Sequence, residues 1–230
     1  MRAWTGNVVL HERPRRLAPR LALRGAVVLD GAGTAPVRGA VLLIEGTNIV
    51  AAGTQAQIGE LGTEWLALDF PEHTILPGLI DCHEHLVLAG DGRPLEACTS
   101  ESDEVLALRA AQSAAVDLAA GITTVRDCGA RARVAFAARE AASIGLFPAP
   151  RLLLCGHPIT MTGGHCHFLG GECDGPDGVR IAARQLLKDG ADFLKIMATG
   201  GNTRGTGNHV PGLSVAEMAA AATKRIVAAS

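Results

Sequence analysis

The sequence predicts an α/β fold in two parts, a small β-rich unit over residues 20–75 and a run of βα units over residues 76–230. Three observations predict it. Before residue 75 the apolar runs are short, broken by Gly turns, and show no helical period. After it, β-branched apolar runs alternate strictly with Ala/Leu-rich segments of helical length, which implies parallel strands joined by right-handed crossovers. Ionisable residues then recur where these later strands end. A (β/α)8 barrel and a doubly wound sheet both fit this pattern. The chain carries four βα units and the start of a fifth, fewer than the eight a closed barrel needs.

The elements follow in order. "LALRGAVVLDGAG" is an apolar run closed by a Gly turn, and "GAVLLIEGTNIVAAG" holds two more runs broken at "EGTN", as in a hairpin. "LALDFPEHTIL" follows, and "TILPGLID" is the first strand of the second part. "ESDEVLALRAAQSAAVDLAA" is a helix with acidic residues in its first turn, stopped by Gly121. "ITTVRD" is a strand, "ARARVAFAAREAASIG" a helix closed by Gly145, "RLLLCG" a strand, and "DGVRIAARQLLKDG" a helix ended by Gly190. "ADFLKIMATGG" reads as a fourth strand. "SVAEMAAAATK" reads as a helix capped by Ser214 with Glu217 at the capping-box position, and "RIVAAS" as the start of a fifth strand.

Composition narrows the function classes. With 48% hydrophobic and 19% charged residues the chain should fold rather than stay disordered. A net charge of −2 gives no general pull towards nucleic acid or anionic membrane, so neither is expected as a partner. Residues 1–19 form a basic extension that lacks the apolar core of a secretion signal, and Pro14 and Pro19 interrupt any long amphipathic helix. No run approaches the ~18 apolar residues of a membrane span. The six cysteines form no CxxC pair and suit reduced thiols, so a cytoplasmic protein is expected.

The chemistry-bearing residues sit at strand ends. His83 and His85 end the first strand of the second part, Arg126 and Asp127 the second; His157 follows the third, and Lys195 lies on the fourth. Parallel α/β folds build their sites at that end. Strand side chains alternate with period two, so His83 and His85 share a face while Glu84 points away. Two neutral imidazoles converging on one point suit Zn2+ or a similar ion. Lys195 places an amine inside an apolar strand, a costly position unless it is paired, with Asp192 or Asp127 for example, or chemically altered. The Gly-rich segment 156–178 should overhang the site, and His157, His165 and His167 offer acid/base or substrate-contact groups. The spacing of His165, Cys166, His167 and Cys173 matches no common zinc pattern, and "GDGRP" and "TGGNTRGTGNHVPG" match no phosphate-loop pattern.

Taken together, "VVLDGAGTAPVRGAVLLIEGTNIVAAG", "ILPGLIDCHEHL", "GITTVRDCGA", "GHPITMTGGHCH" and "GADFLKIMATGG" resemble, in order, the motifs of the amidohydrolase superfamily. They are most similar to its imidazolonepropionase-like branch, which includes Xaa-Pro and Xaa-Arg dipeptidases. The resemblance covers roughly residues 20–217. It implies a metal-dependent hydrolase on a (β/α)8 barrel preceded by part of a small β-sandwich. Metal-activated water would cleave an amide-like carbon–nitrogen bond in a dipeptide, N-acyl amino acid or cyclic amide. His83 and His85 match the first-strand metal ligands. Lys195 matches the fourth-strand lysine, which is carboxylated in binuclear members, so one or two Zn2+ ions are expected. His165 resembles a substrate-side residue, and His157 is taken as a substrate-binding candidate beside it.

The family also places metal-ligand histidines after strands five and six and a catalytic Asp after strand eight. None of these has a counterpart in this sequence, so its general base is not identifiable. The chain is expected to correspond to the N-terminal half of such an enzyme. The alternative is a catalytically inactive fragment that keeps partial metal binding and needs a partner or homo-oligomer to fold.

Overall fold

Local chain chemistry sets most of the element boundaries. The computed structural model describes residues 20–88, 90, 98–201, 203 and 205–222. The basic segment 1–19, most of "GDGRP" and the expected strand "RIVAAS" lie outside the described residues. The chain divides into two units between Pro77 and Gly78, and each is described by itself.

The first unit is one four-stranded sheet: β1 (Arg20–Val28), β2 (Val37–Glu45), β3 (Asn48–Thr54) and β4 (Leu66–Ile75), in the order β3-β2-β1-β4. β1–β2 and β2–β3 are antiparallel; β1–β4 is parallel. The β2–β3 hairpin turns at Gly46, whose φ of +59° suits glycine. A one-turn helix, α1 (Gln55–Ile58), was not foreseen. Thr54 and Gln57 build a capping box there, which holds four residues helical despite the lack of periodicity. Leu21, Ala22, Val41 and Leu42 are buried on the sheet.

The second unit carries the parallel sheet β5 (Leu79–Glu84), β6 (Ile122–Asp127) and β7 (Arg151–Leu154), in the order β5-β6-β7. The strand expected over 74–81 is split: Thr74 and Ile75 extend β4, and β5 starts only at Leu79. Pro77 lacks an N–H for a ladder. Gly78 lies so close to the Thr123 side chain that a Cβ there would collide with it.

Four helices follow in this unit, the first and the last of them with side-chain N-caps. α2 (Asp103–Ala119) starts at Ser102, whose hydroxyl accepts the Val105 N–H, and carries Asp103 and Glu104 in its first turn. α3 (Val134–Ser143) is followed by Gly145 at φ +78°. α4 (Gly175–Lys188) has Pro176 in its first turn, and α5 (Val215–Ala222) follows Ser214. The Ser214 hydroxyl accepts the Glu217 N–H while the Glu217 carboxylate accepts the Ser214 N–H at 2.7 Å, the expected capping box. Leu106, Ala110 and Ala114 of α2 pack with Val125 and Leu154 of the sheet in one core.

The expected fourth strand is not a ladder strand. Residues 192–197 lie beside β7 and its continuation: the Asp192 N–H donates to Leu154 O at 2.8 Å, and the Ile159 N–H to Lys195 O at 2.8 Å. The segment forms isolated bridges instead, Ile159–Ile196 on this side and Thr199–Pro211 at its end. β7 is four residues long and breaks at Gly156, φ +73°, which interrupts the edge the fourth segment would pair with.

Candidate active site

The pair of histidines is fixed unequally. β5 ends at Glu84, so His83 lies in the strand and His85 just past it. Their rings are neighbours, with centroids 5.6 Å apart and planes tilted by 52°. The His83 side chain is exposed, its N–H donates to Asp81 Oδ1 at 2.8 Å, and its Nε2 lies 3.3 Å from Lys195 Nζ. His85 is half-buried and its Nδ1 meets the Gly129 carbonyl at 2.8 Å. A carbonyl only accepts, so Nδ1 carries the proton and Nε2 keeps its lone pair.

Electrostatics points the same way for both rings. Burial lowers the His83 pKa first, then the charges of Lys195 and Arg126. Burial also lowers that of His85, offset by the Gly129 bond and reinforced by His83, Lys195 and His165. Both imidazoles are thus held towards the neutral form that ligates metal. Glu84 faces elsewhere: burial, Asp117 of α2 and Asp81 raise its pKa. This matches the alternation expected from period two.

Lys195 does not pair with the carboxylates considered for it. Asp192 takes Arg139 at 2.6 Å and the Leu154 N–H at 2.7 Å. Asp127 accepts the Leu86 N–H at 3.0 Å. The amine is left beside the His83 imidazole. Arg126 lies on the same side, stacked 3.9 Å from the Phe193 ring centroid and donating to Cys82 O at 3.3 Å.

The Gly-rich segment is tied down rather than loose. Asp174 accepts from the N–H and hydroxyl of Thr162, and Glu172 from the Gly163 N–H. It brings His165 towards the pair: burial and then the Lys195 charge lower the His165 pKa. Its Nδ1 lies 2.7 Å from the Thr203 hydroxyl, which also accepts the Cys166 N–H at 3.1 Å. His157 has different neighbours. Gly171 is packed against its ring, burial lowers its pKa, and the Pro158 carbonyl and Asp189 oppose that shift. His167 bonds its own loop through Gly164 O at 3.0 Å. The structure therefore groups His83, His85, Lys195 and His165 and leaves His157 apart.

Two participants were missed in the sequence. The Gly129 carbonyl is a backbone acceptor and leaves no side-chain signature, and Thr203 stands 38 positions from His165. All six cysteines are free, and Cys98, Cys128, Cys155 and Cys166 are buried. Among the described residues no group of three or more His, Cys, Asp or Glu is close enough to hold a metal ion. Among the described residues no helix is long and apolar enough to cross a membrane.

A family model described as the amidohydrolase family matches residues 74–229. No curated protein matches the chain. Solved structures do. One, an amidohydrolase, is 31% identical with a TM-score of 0.75, over 88% of this chain and 52% of that one. A Xaa-Pro dipeptidase with methionine bound in its active site is 28% identical with a TM-score of 0.77, over 88% and 53%. A prolidase complexed with N-methylphosphonate-L-proline is 29% identical with a TM-score of 0.75, over 88% and 52%. The chain spans about half the length of each of these structures.

Proposed function

The chain belongs to the amidohydrolase family, its βα units are part of a TIM barrel, and on that premise we propose a hydrolase acting on carbon–nitrogen bonds. Its substrate is a small amide: a dipeptide first, with N-acyl amino acids and cyclic amides as further classes. The observation that carries this reading is the His85 lock. With Nδ1–H held by Gly129 O at 2.8 Å, His85 keeps the lone pair on Nε2, and its ring neighbours that of His83, whose own Nε2 lies 3.3 Å from the Lys195 amine. A metal ligand histidine is held in this manner by a partner on its other nitrogen.

These residues fit a divalent ion. His83 and His85 would hold it through neutral nitrogens, and Lys195, carboxylated by CO2, would add an anionic oxygen in place of a cation. The preferred ion is Zn2+. When bound, it lowers the pKa of water and polarises a carbonyl.

The chain's own residues do the rest. Gly129 orients His85. Thr203 fixes one nitrogen of His165, so that its ring is presented in one orientation for a substrate contact. His157 is the second substrate-side candidate, and its separate neighbours make it the less favoured. Prolidase and Xaa-Pro dipeptidase relatives support dipeptides as the first class to try. The exposed Leu79 and Ile80 of edge strand β5 support self-association of the chain, readable by light scattering.

The test is hydrolysis of a dipeptide, N-acyl amino acid and cyclic amide panel by the zinc-loaded chain, followed as released amino acid. Release that stops with chelator and with His83→Ala supports the proposal. A zinc-loaded chain that releases nothing from any member overturns it.

A further inference from the structure

Three consecutive residues at the end of β6 grip three consecutive residues at the end of β5. The Cys128 N–H donates to Glu84 O at 2.7 Å, the His85 Nδ1–H to Gly129 O at 2.8 Å, and the Leu86 N–H to Asp127 Oδ1 at 3.0 Å. The middle bond orients the imidazole. The two flanking bonds set where the imidazole stands against its acceptor. The first is backbone to backbone and the middle one is made by the imidazole itself, so the Asp127 bond is the one a substitution can remove while leaving the imidazole in place.

We propose that Asp127 is a positioning residue: its carboxylate, by pinning the Leu86 N–H, sets the β5 end so that His85 presents Nε2 to the metal. This deepens the metal reading given above and rests on it.

Asp127 and Leu86 are both fully buried. The other carboxylate oxygen, Oδ2, is buried with no hydrogen-bond partner. An acid so placed is costly, and its bonding to the protein runs through the oxygen that holds the turn. One carboxyl oxygen accepts from Leu86 whether the group is ionised or not, so the grip does not depend on its proton. The grip is also sterically exact at its far end. Gly129 has φ +151°, and a Cβ there would stand 3.1 Å from Pro158, 3.2 Å from Leu169 and 3.3 Å from the His85 ring. A side chain at this position would press on these groups, the His85 ring among them.

The test uses the full chain, first metal-free. In the unaltered protein the imidazole nitrogen NMR signals of His85 should show one tautomer, Nδ1–H, and the Leu86 amide should exchange slowly. A mixed or Nε2–H tautomer, or fast exchange at Leu86, overturns the proposal without any variant. Asp127→Ala should then mix the tautomers of His85 and weaken zinc binding by about 10–100-fold, the range for lost support of a ligand. Asp127→Asn keeps an acceptor and should restore both. Leu106→Ala, a cavity in the same core, destabilises the unit but should leave the His85 signals unchanged. A purely structural Asp127 would make Asp127→Ala resemble Leu106→Ala, which overturns the proposal. An Asp127→Asn variant as altered as Asp127→Ala also overturns it. If the unaltered chain binds no zinc, the metal reading fails, while the tautomer and exchange data still decide the role of Asp127 in placing His85.

Discussion

In the four-stranded sheet, the ion pairs are on the surface: Arg20 meets Glu45 at 3.0 Å and Arg24 meets Asp69 at 3.3 Å, all with side chains 40% or more exposed. In the three-stranded sheet a carboxylate at a strand end, Asp127, is fully buried and spends its bond on a neighbouring backbone. Exposed pairs contribute roughly 0–1 kcal/mol and tolerate change. A buried, half-satisfied carboxylate costs several times that, and a fold keeps it only where the surroundings use it. The contrast lies in the carboxylates: that of Asp127, at the end of the parallel sheet next to the imidazole pair, is buried, whereas those that meet Arg20 and Arg24 in the four-stranded sheet are exposed. The end of a parallel sheet is also where side chains from separate strands converge.

The largest expected effect is at the site. His85→Ala should weaken zinc binding by more than about 100-fold, beyond the loss from removing a mere supporting partner. Titration against a chromogenic chelator measures it. A variant that binds zinc as tightly as the unaltered chain would break the comparison at its core.

Next comes a pH effect on stability. Burial pushes the Asp127 carboxyl up to about 7 from 3.8. A raised acid contributes stability that is fully present below pH 3.8 and is lost as pH rises through 7. The lowered pKa values of His85, His157 and His165 act the other way, losing stability as pH falls below the usual histidine range. The difference between the unaltered chain and Asp127→Asn isolates the acid. Thermal midpoints across this range should fall with rising pH for the unaltered chain relative to the variant. Parallel curves would show that the burial of this acid has no energetic consequence.

A smaller effect is expected at Thr203→Val. His165 loses the hydroxyl at 2.7 Å, a bond of ~1 kcal/mol, so KM should rise roughly fivefold with little change in kcat. Smallest of all is Arg24→Ala. Loss of its exposed partner Asp69 should cost under about 1 kcal/mol in urea unfolding and leave zinc affinity unchanged. A large loss there would erase the distinction between the two sheets.

Much of this was legible because two periodicities carry physical meaning. Strict alternation of apolar strands and helical segments announces a parallel sheet, and Ser214 and Gly121 mark helix ends with their own chemistry, while the cap at Ser102 emerged only in the structure. Two histidines one residue apart at a strand end must share a face, and the rings indeed lie side by side. Lys195 stood out as an amine in an apolar run, and of the two settings open to it the pairing with Asp192 or Asp127 is not made: the amine lies by His83, and Asp192 is taken by Arg139. What the sequence hides is contact made by backbone. Neither the carbonyl of Gly129 nor the amide of Leu86 differs from any other in a string of letters, and their meeting with His85 and Asp127 depends on the register of two strands 41 to 44 residues apart. Strand edges are hidden likewise: "ADFLKIMATGG" has strand composition, but the short β7 and the break at Gly156 leave it one isolated bridge on that side, Ile159–Ile196.

The measurement that tests the central claim most directly is the metal content of the purified chain after exposure to zinc, set beside that of a His83→Ala, His85→Ala double variant. The account predicts stoichiometric zinc in the unaltered chain and none in the folded double variant. Equal zinc in both, or none in either, would contradict it.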